Sequence, residues 1–158
     1  QVRPTSDRVR EALFSILGQN LDGCRVLDVY AGSGILALEA LSRGAESALC
    51  FDRDRRALRQ LQRVIGEWGI GASIEARHGV VPACLPVTGA FDIVFVDPPY
   101  AQDAGVVLKH LSGVLEGVLV LEHAGEAPEL DALERVDQRE YGDTKLSFYR
   151  GPGVGLSP

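Results

Sequence analysis

The chain has 158 residues, 46% hydrophobic and 24% charged, which suffices for one buried core and is short for two. No run approaches a membrane helix and no signal peptide opens it, so a cytoplasmic protein without a membrane partner is expected. The net charge of −6 argues at first sight against a nucleic-acid partner. The charge is uneven, however: residues 1–85 hold 11 basic and 10 acidic side chains, residues 86–158 hold 5 and 12. The densest basic cluster is Arg53, Arg55, Arg56, Arg59 and Arg63, although such a cluster is ordinarily a solvated helix face.

Taken in order, the elements alternate. Asp7–Leu17 reads as an amphipathic helix with Val9, Leu13, Ile16 and Leu17 inward, capped by Thr5 or Ser6. A strand over 25–30 leads through a glycine turn into a helix over Ile35–Ser42. Ser47–Asp52 is the next strand. The helix after it carries Ala57, Leu58, Leu61, Val64 and Ile65 at helical spacing, with the arginines opposite. A short strand over 72–76, a strand over Phe91–Val96, a helix over 106–115 and a strand over 117–122 follow. Glu134–Tyr141 and Thr144–Arg150 flank Gly142-Asp143 as a hairpin. Apolar strands without alternation indicate a parallel sheet covered on both faces. Residues 1–150 thus read as one domain, with 151–158 a flexible Gly/Pro-rich tail. The chain starts at Gln1 and contains no Met, so its native start is expected upstream. Three scattered cysteines and three dispersed histidines nominate no metal site and read as buried thiols in a reducing compartment.

Asp28-Val29-Tyr30-Ala31-Gly32-Ser33-Gly34 joins a strand to a helix, where glycines let the backbone approach a ligand. Asp52 ends the next strand, twenty residues after Gly32, where a carboxylate can accept both ribose hydroxyls of an adenosine. Gly32-Ser33-Gly34-Ile35-Leu36-Ala37 also fits a nicotinamide-dinucleotide turn. Asp28 would repel a pyrophosphate, though it suits a cationic ammonium and sulfonium, and no hydride-transfer constellation follows.

Asp97-Pro98-Pro99-Tyr100 follows the most hydrophobic strand, so in a doubly wound sheet it faces the glycine turn. Its prolines fix the backbone and remove two N–H donors. Together with the Asp97 carboxylate they leave a rigid set of acceptors, the complement of an amino group with two hydrogens. Accepting both N–H bonds draws a base's exocyclic nitrogen toward tetrahedral geometry and frees its lone pair for attack on a methyl. Tyr100 can stack on the base.

These segments resemble the RsmD family, bacterial methyltransferases of the guanine 2-amino group in 16S rRNA. RPTSDRVREALFSIL, LDVYAGSGILALEALSRGA, FVDPPY and YGDTKLSFY carry the likeness over nearly the whole chain. The opening motif discriminates most, since the glycine turn and DPPY occur in many amino-methyltransferases. The resemblance implies a Rossmann-like class I S-adenosylmethionine-dependent methyltransferase fold, α/β, with a mostly parallel seven-stranded sheet and a C-terminal antiparallel hairpin. It implies S-adenosylmethionine as cofactor, the small ribosomal subunit or an assembly intermediate as partner, no metal, and a monomer. Asp28, Tyr30, Gly32 and Gly34 would line the methionine part of the cofactor, Asp52 its ribose, and His78 and Gly79 its adenine. Asp97, Pro98, Pro99 and Tyr100 would hold the guanine, and Thr5, Arg8 and Arg10 belong to the substrate side. Two departures stand out: His78 replaces an acidic or amide residue, and Tyr30 replaces a common phenylalanine. The family's basic N-terminal RNA-binding hairpin precedes the point where this chain starts. The competing readings are adenine-N6 methylation of DNA or RNA, and a non-catalytic RNA-binding or ribosome-assembly module.

Overall fold

A computed structural model describes residues 6–85 and 88–151. Thr5 and residues 152–158, on which expectations were placed, lie outside them. Of the two candidate caps for the first helix, α1 (Asp7–Leu17), Ser6 is seen in place, its Oγ accepting the Val9 N–H at 3.2 Å. The expected strand over 25–30 is shorter, β1 (Arg25–Asp28), because Val29 and Tyr30 already turn toward the glycines. Next come α2 (Ile35–Ser42), β2 (Ser47–Asp52) and α3 (Arg55–Trp68). Asp54 caps α3 by accepting from the N–H groups of Arg56 and Ala57, and Leu58, Leu61 and Ile65 are buried as their spacing predicts.

The third strand, β3 (Ile74–His78), starts two residues later than expected, since 71–73 form a turn closed by Ser73 N–H to Ile70 O at 2.9 Å. After β4 (Phe91–Val96), α4 (Ala104–Leu111) begins earlier than expected because Asp103 caps the Gly105 N–H. It also ends earlier, tightening into a 3-10 turn over Ser112–Val114 that feeds β5 (Leu115–His123). The hairpin β6 (Glu134–Tyr141) and β7 (Thr144–Arg150) closes the fold.

All seven strands form one sheet of order β3-β2-β1-β4-β5-β7-β6. Its first five strands are parallel, and β7 joins β5 and β6 antiparallel. Side chains alternate between two cores. Val26, Ile93, Phe95 and Val120 pack with α1, α2 and α3. Leu27, Val94, Val96, Leu119 and Leu121 pack with Val107, Leu108 and Leu111 of α4. The expected Rossmann-like sheet with its antiparallel finish is therefore present. Because β1 lies between β2 and β4, the strand order reverses at β1/β4, where such sheets open a crevice beyond the strands' carboxyl ends.

Candidate active site

A cavity of about 640 Å³ lies at that edge, within the ~300–1,000 Å³ typical of small-molecule sites. Val29 and Tyr30 after β1, Asp52 and Arg53 at the end of β2, and Gly79 to Val81 after β3 line one side. Asp97 to Gln102 after β4 and Glu122 to Glu126 around the end of β5 line the other. Asp143 and Thr144 complete the wall, because β7 runs antiparallel to β5 and brings the hairpin turn to the same edge.

The glycine turn is held by a carboxylate. Asp52 is buried; its Oδ2 accepts the Gly32 N–H at 2.7 Å and its Oδ1 the Asp54 N–H at 2.8 Å. A carboxylate offers about four lone-pair positions, so roughly two remain for a ligand's hydroxyls. The two glycines differ in what they leave room for. Both have positive φ, but a Cβ on Gly32 would meet nothing within 4 Å, whereas one on Gly34 would lie 2.5 Å from Leu61 Cδ1. Gly34 thus lets α2 pack on α3, and Gly32 leaves open space above the turn. Neither lines the cavity itself.

Asp28, at the end of β1, does not line the cavity either; it is 3% exposed, its Oδ1 accepting the Tyr30 N–H at 3.2 Å. Burial pushes its carboxyl up to about 7, with the charges of Asp52 and Glu122 adding to the rise and the Tyr30 N–H opposing it. An acid held so far above its ordinary 3.8 keeps its proton until a nearby cation favours the charged form. A ligand that carries a sulfonium and an ammonium beside an adenosine meets that requirement at Asp28 and the lone pairs of Asp52. The residues present therefore fit S-adenosylmethionine.

Opposite the turn, Asp97 and Pro98 are half-buried while Pro99 and Tyr100 are exposed, Tyr100 at 83%. The loop is pinned by Gln102, which sequence reasoning missed. Its N–H donates to Pro99 O at 3.0 Å. Its side chain accepts from the Tyr30 hydroxyl and donates to Val81 O. One amide thereby ties together the loops after β1, β3 and β4. Tyr30 supplies a hydroxyl that a phenylalanine would lack, and burial raises the pKa of that hydroxyl.

Other expected residues stand apart. The His78 ring is exposed, lies 3.2 Å from Arg53 O, and does not line the cavity. Gly79 does line the cavity, but its N–H donates to Asp52 O at 3.1 Å, and a Cβ there would press on Phe51 and Cys84. Arg8 lies over the Tyr141 ring, and Arg10 pairs with Asp7 and Glu39; neither lines the cavity. Of the cysteines only Cys50 is fully buried, Cys24 and Cys84 being half-exposed. His123 bridges Gly125 O and Ser147 Oγ, and burial together with Lys145 and Arg135 lowers its pKa. Its position, like those of Glu122 and the hairpin turn, could have been read from the rule that sites gather at one strand edge. Gln102 left no such signal.

Residues 1–150 match the family described as Conserved hypothetical protein 95. The Bacillus subtilis (strain 168) protein YlbH is 33% identical over 96% of this chain and 89% of its own length. Ribosomal RNA small subunit methyltransferase D of Escherichia coli (strain K12) is 38% identical over 64% of this chain, about half of that protein at 51%. Among solved structures, a conserved hypothetical protein from Streptococcus pyogenes superposes with a TM-score of 0.81 at 33% identity, covering 92% of this chain and 96% of that one.

Proposed function

We propose, because the chain belongs to the conserved hypothetical protein 95 family that includes the RsmD methyltransferases, that it methylates the 2-amino group of a guanine in 16S rRNA. In this reading S-adenosylmethionine is the donor, the small subunit or an assembly intermediate is the substrate, and the protein works as a cytoplasmic monomer. The observation that carries the proposal is the convergence of the Asp97–Tyr100 loop, Asp52 and Tyr30 on one cavity.

The bound cofactor supplies a methyl group on a positively charged sulfur, and the chain does the rest by placement. Asp28, together with the open space at Gly32, takes the cationic end, and Asp52 takes the ribose. The Gln102 bridge holds Tyr30 and Val81 against the catalytic loop, which limits how far the two halves of the cavity can separate. Asp97 and the Pro98 carbonyl accept the two N–H bonds of the guanine amine. Pro98 and Pro99 offer no competing N–H donor. Tyr100, exposed at the mouth, stacks on the extruded base. The proton that the methylated nitrogen sheds passes to the Asp97 carboxylate.

The test is transfer of labelled methyl to unmethylated small subunits, followed by digestion and identification of the nucleoside. Label on the 2-amino group of guanosine is expected. Asp97→Ala should lower the rate by about 10²–10³-fold, the range for losing one group that stabilises a transition state, while calorimetry finds cofactor affinity within about threefold. Label on adenine or in DNA would overturn the base or the substrate. Cofactor binding with no transfer to any RNA would favour a non-catalytic module.

A further inference from the structure

The arginine cluster of the sequence acquires a place in the fold. Arg55, Arg56, Arg59 and Arg63 all lie on α3 and all are exposed. At about 100° per residue they fall within an arc of about 100°, on the side away from Leu58, Leu61 and Ile65. The stripe starts at the active-site edge, because α3 follows β2 directly, and Arg53 at its head lines the cavity. With a rise of about 1.5 Å per residue, Arg55 and Arg63 are about 12 Å apart along the axis, the reach of a few nucleotides.

Two features set this face apart from an ordinary solvated one. Among the described residues no carboxylate lies within 4.0 Å of any of the four, whereas Arg10, Arg25, Arg43, Arg77 and Arg139 are each paired. Arg8, Arg53, Arg135 and Arg150 also lack a carboxylate partner, but among the described residues it is on α3 that four such guanidinium groups line one helix face. Moreover, the first turn of α3 contains no acidic residue and begins with Arg55 and Arg56. Cations there oppose the helix dipole, so they act against the stability of their own helix.

We infer that the α3 arginine face is a docking surface for the phosphate backbone of the RNA strand that delivers its base to the cavity. The inference rests on the RNA reading given above and adds where the strand runs. Guanidinium groups spaced along a helix suit phosphates, to which each can make a two-pronged contact. The continuity through Arg53 places the bound strand at the cavity mouth, with Tyr100 exposed at the same edge. An acidic protein partner is the other ligand such a face could take.

The experiment compares the full chain with the triple variant Arg56→Glu/Arg59→Glu/Arg63→Glu, using labelled 16S rRNA transcript and small subunits as probes over a salt series. The wild type is expected to bind transcript with a steep salt dependence. In the variant, the RNA Kd should rise at least about tenfold and the slope of log K against log salt should become shallower by about two to three. Cofactor affinity should be unchanged, and thermal stability should be unchanged or higher, since Arg56→Glu puts an acid in the first turn of α3. The Arg→Lys triple variant should recover the salt slope, because the charges return, with an affinity between those of the wild type and the Glu variant, because the two-pronged contacts do not. Equal Kd and equal salt slope for wild type and variant overturn the inference. So does loss of a ribosomal protein's binding with transcript binding intact. RNA binding that depends on α3 without any methyl transfer would sink the proposed activity and leave the docking surface standing, so the two failures are separable.

Discussion

Asp28 shows how one buried side chain links stability, pH and ligand. Its carboxyl is raised to about 7 from an ordinary 3.8, chiefly by burial. The folded protein therefore holds this proton more tightly than the unfolded chain does. Its contribution to stability is most favourable below about pH 4 and is lost as pH rises toward 7, after which the loss is constant. Asp28→Asn removes the charge and keeps an oxygen to accept the Tyr30 N–H. In the absence of cofactor, the variant's melting temperature should exceed the wild type's by a margin that widens from pH 4 to pH 7 and is flat beyond. Thermal denaturation across that range checks this, and a margin that does not change with pH would show that Asp28 is not held protonated.

At the scale of elements, the pairing of β4 with β5 has little slack. The register shifts between Phe91 and Ile93, and Gly117 of β5 lies so close that a Cβ there would be 2.1 Å from Asp92 O and 3.0 Å from its carbonyl carbon. Because the obstacle is backbone, it cannot swing aside. Gly117→Val should cost about 1–3 kcal/mol and lower the melting temperature by about 2–12 °C. Gly113→Ala, whose Cβ would meet nothing within 4 Å, should be nearly neutral, and calorimetry of the pair tests the contrast. This tightness also marks where sequence reading stops. Most of the seven strands were legible because they are compact apolar runs, whereas the largely polar β6 was legible only as one arm of a hairpin turning at Gly142-Asp143. The boundaries of β3 and α4 were not, since a turn at 71–73 and the Asp103 cap depend on short-range hydrogen bonding rather than on periodicity. The candidate site divides in the same way. Asp52 and Asp97 to Tyr100 were readable as strand-end motifs. The Gln102 bridge joins residues 72 and 21 positions apart in the chain, which no local pattern reports. Arg8 and Arg10 looked like substrate contacts from their motif, yet the fold places them against Tyr141, Asp7 and Glu39.

For the whole molecule, the cavity draws its walls from the carboxyl ends of β1, β2, β3, β4 and β5 with the loops that follow them, and from the hairpin turn. A ligand bound there must therefore stabilise the sheet across the switch point and not one loop alone. For one site saturated at about 100 times its Kd, the added stability is about 2.7 kcal/mol. In a protein of this size that raises the melting temperature by about 5–11 °C. The sign of the pH effect follows from Asp28. Below pH 7 the carboxyl must give up a proton before it can face a cation, so part of the binding energy goes to that ionisation. Above pH 7 the charge is already present and the cation relieves it. The thermal shift produced by S-adenosylmethionine at one fixed concentration should therefore be larger at pH 8 than at pH 5.5, and Asp28→Asn should remove most of the difference. An uncharged adenosine analogue without the methionine end should give a smaller shift at both values, since it meets Asp52 and leaves Asp28 without a counter-ion. Equal shifts at the two pH values in the wild type would place the cationic end of the ligand away from Asp28.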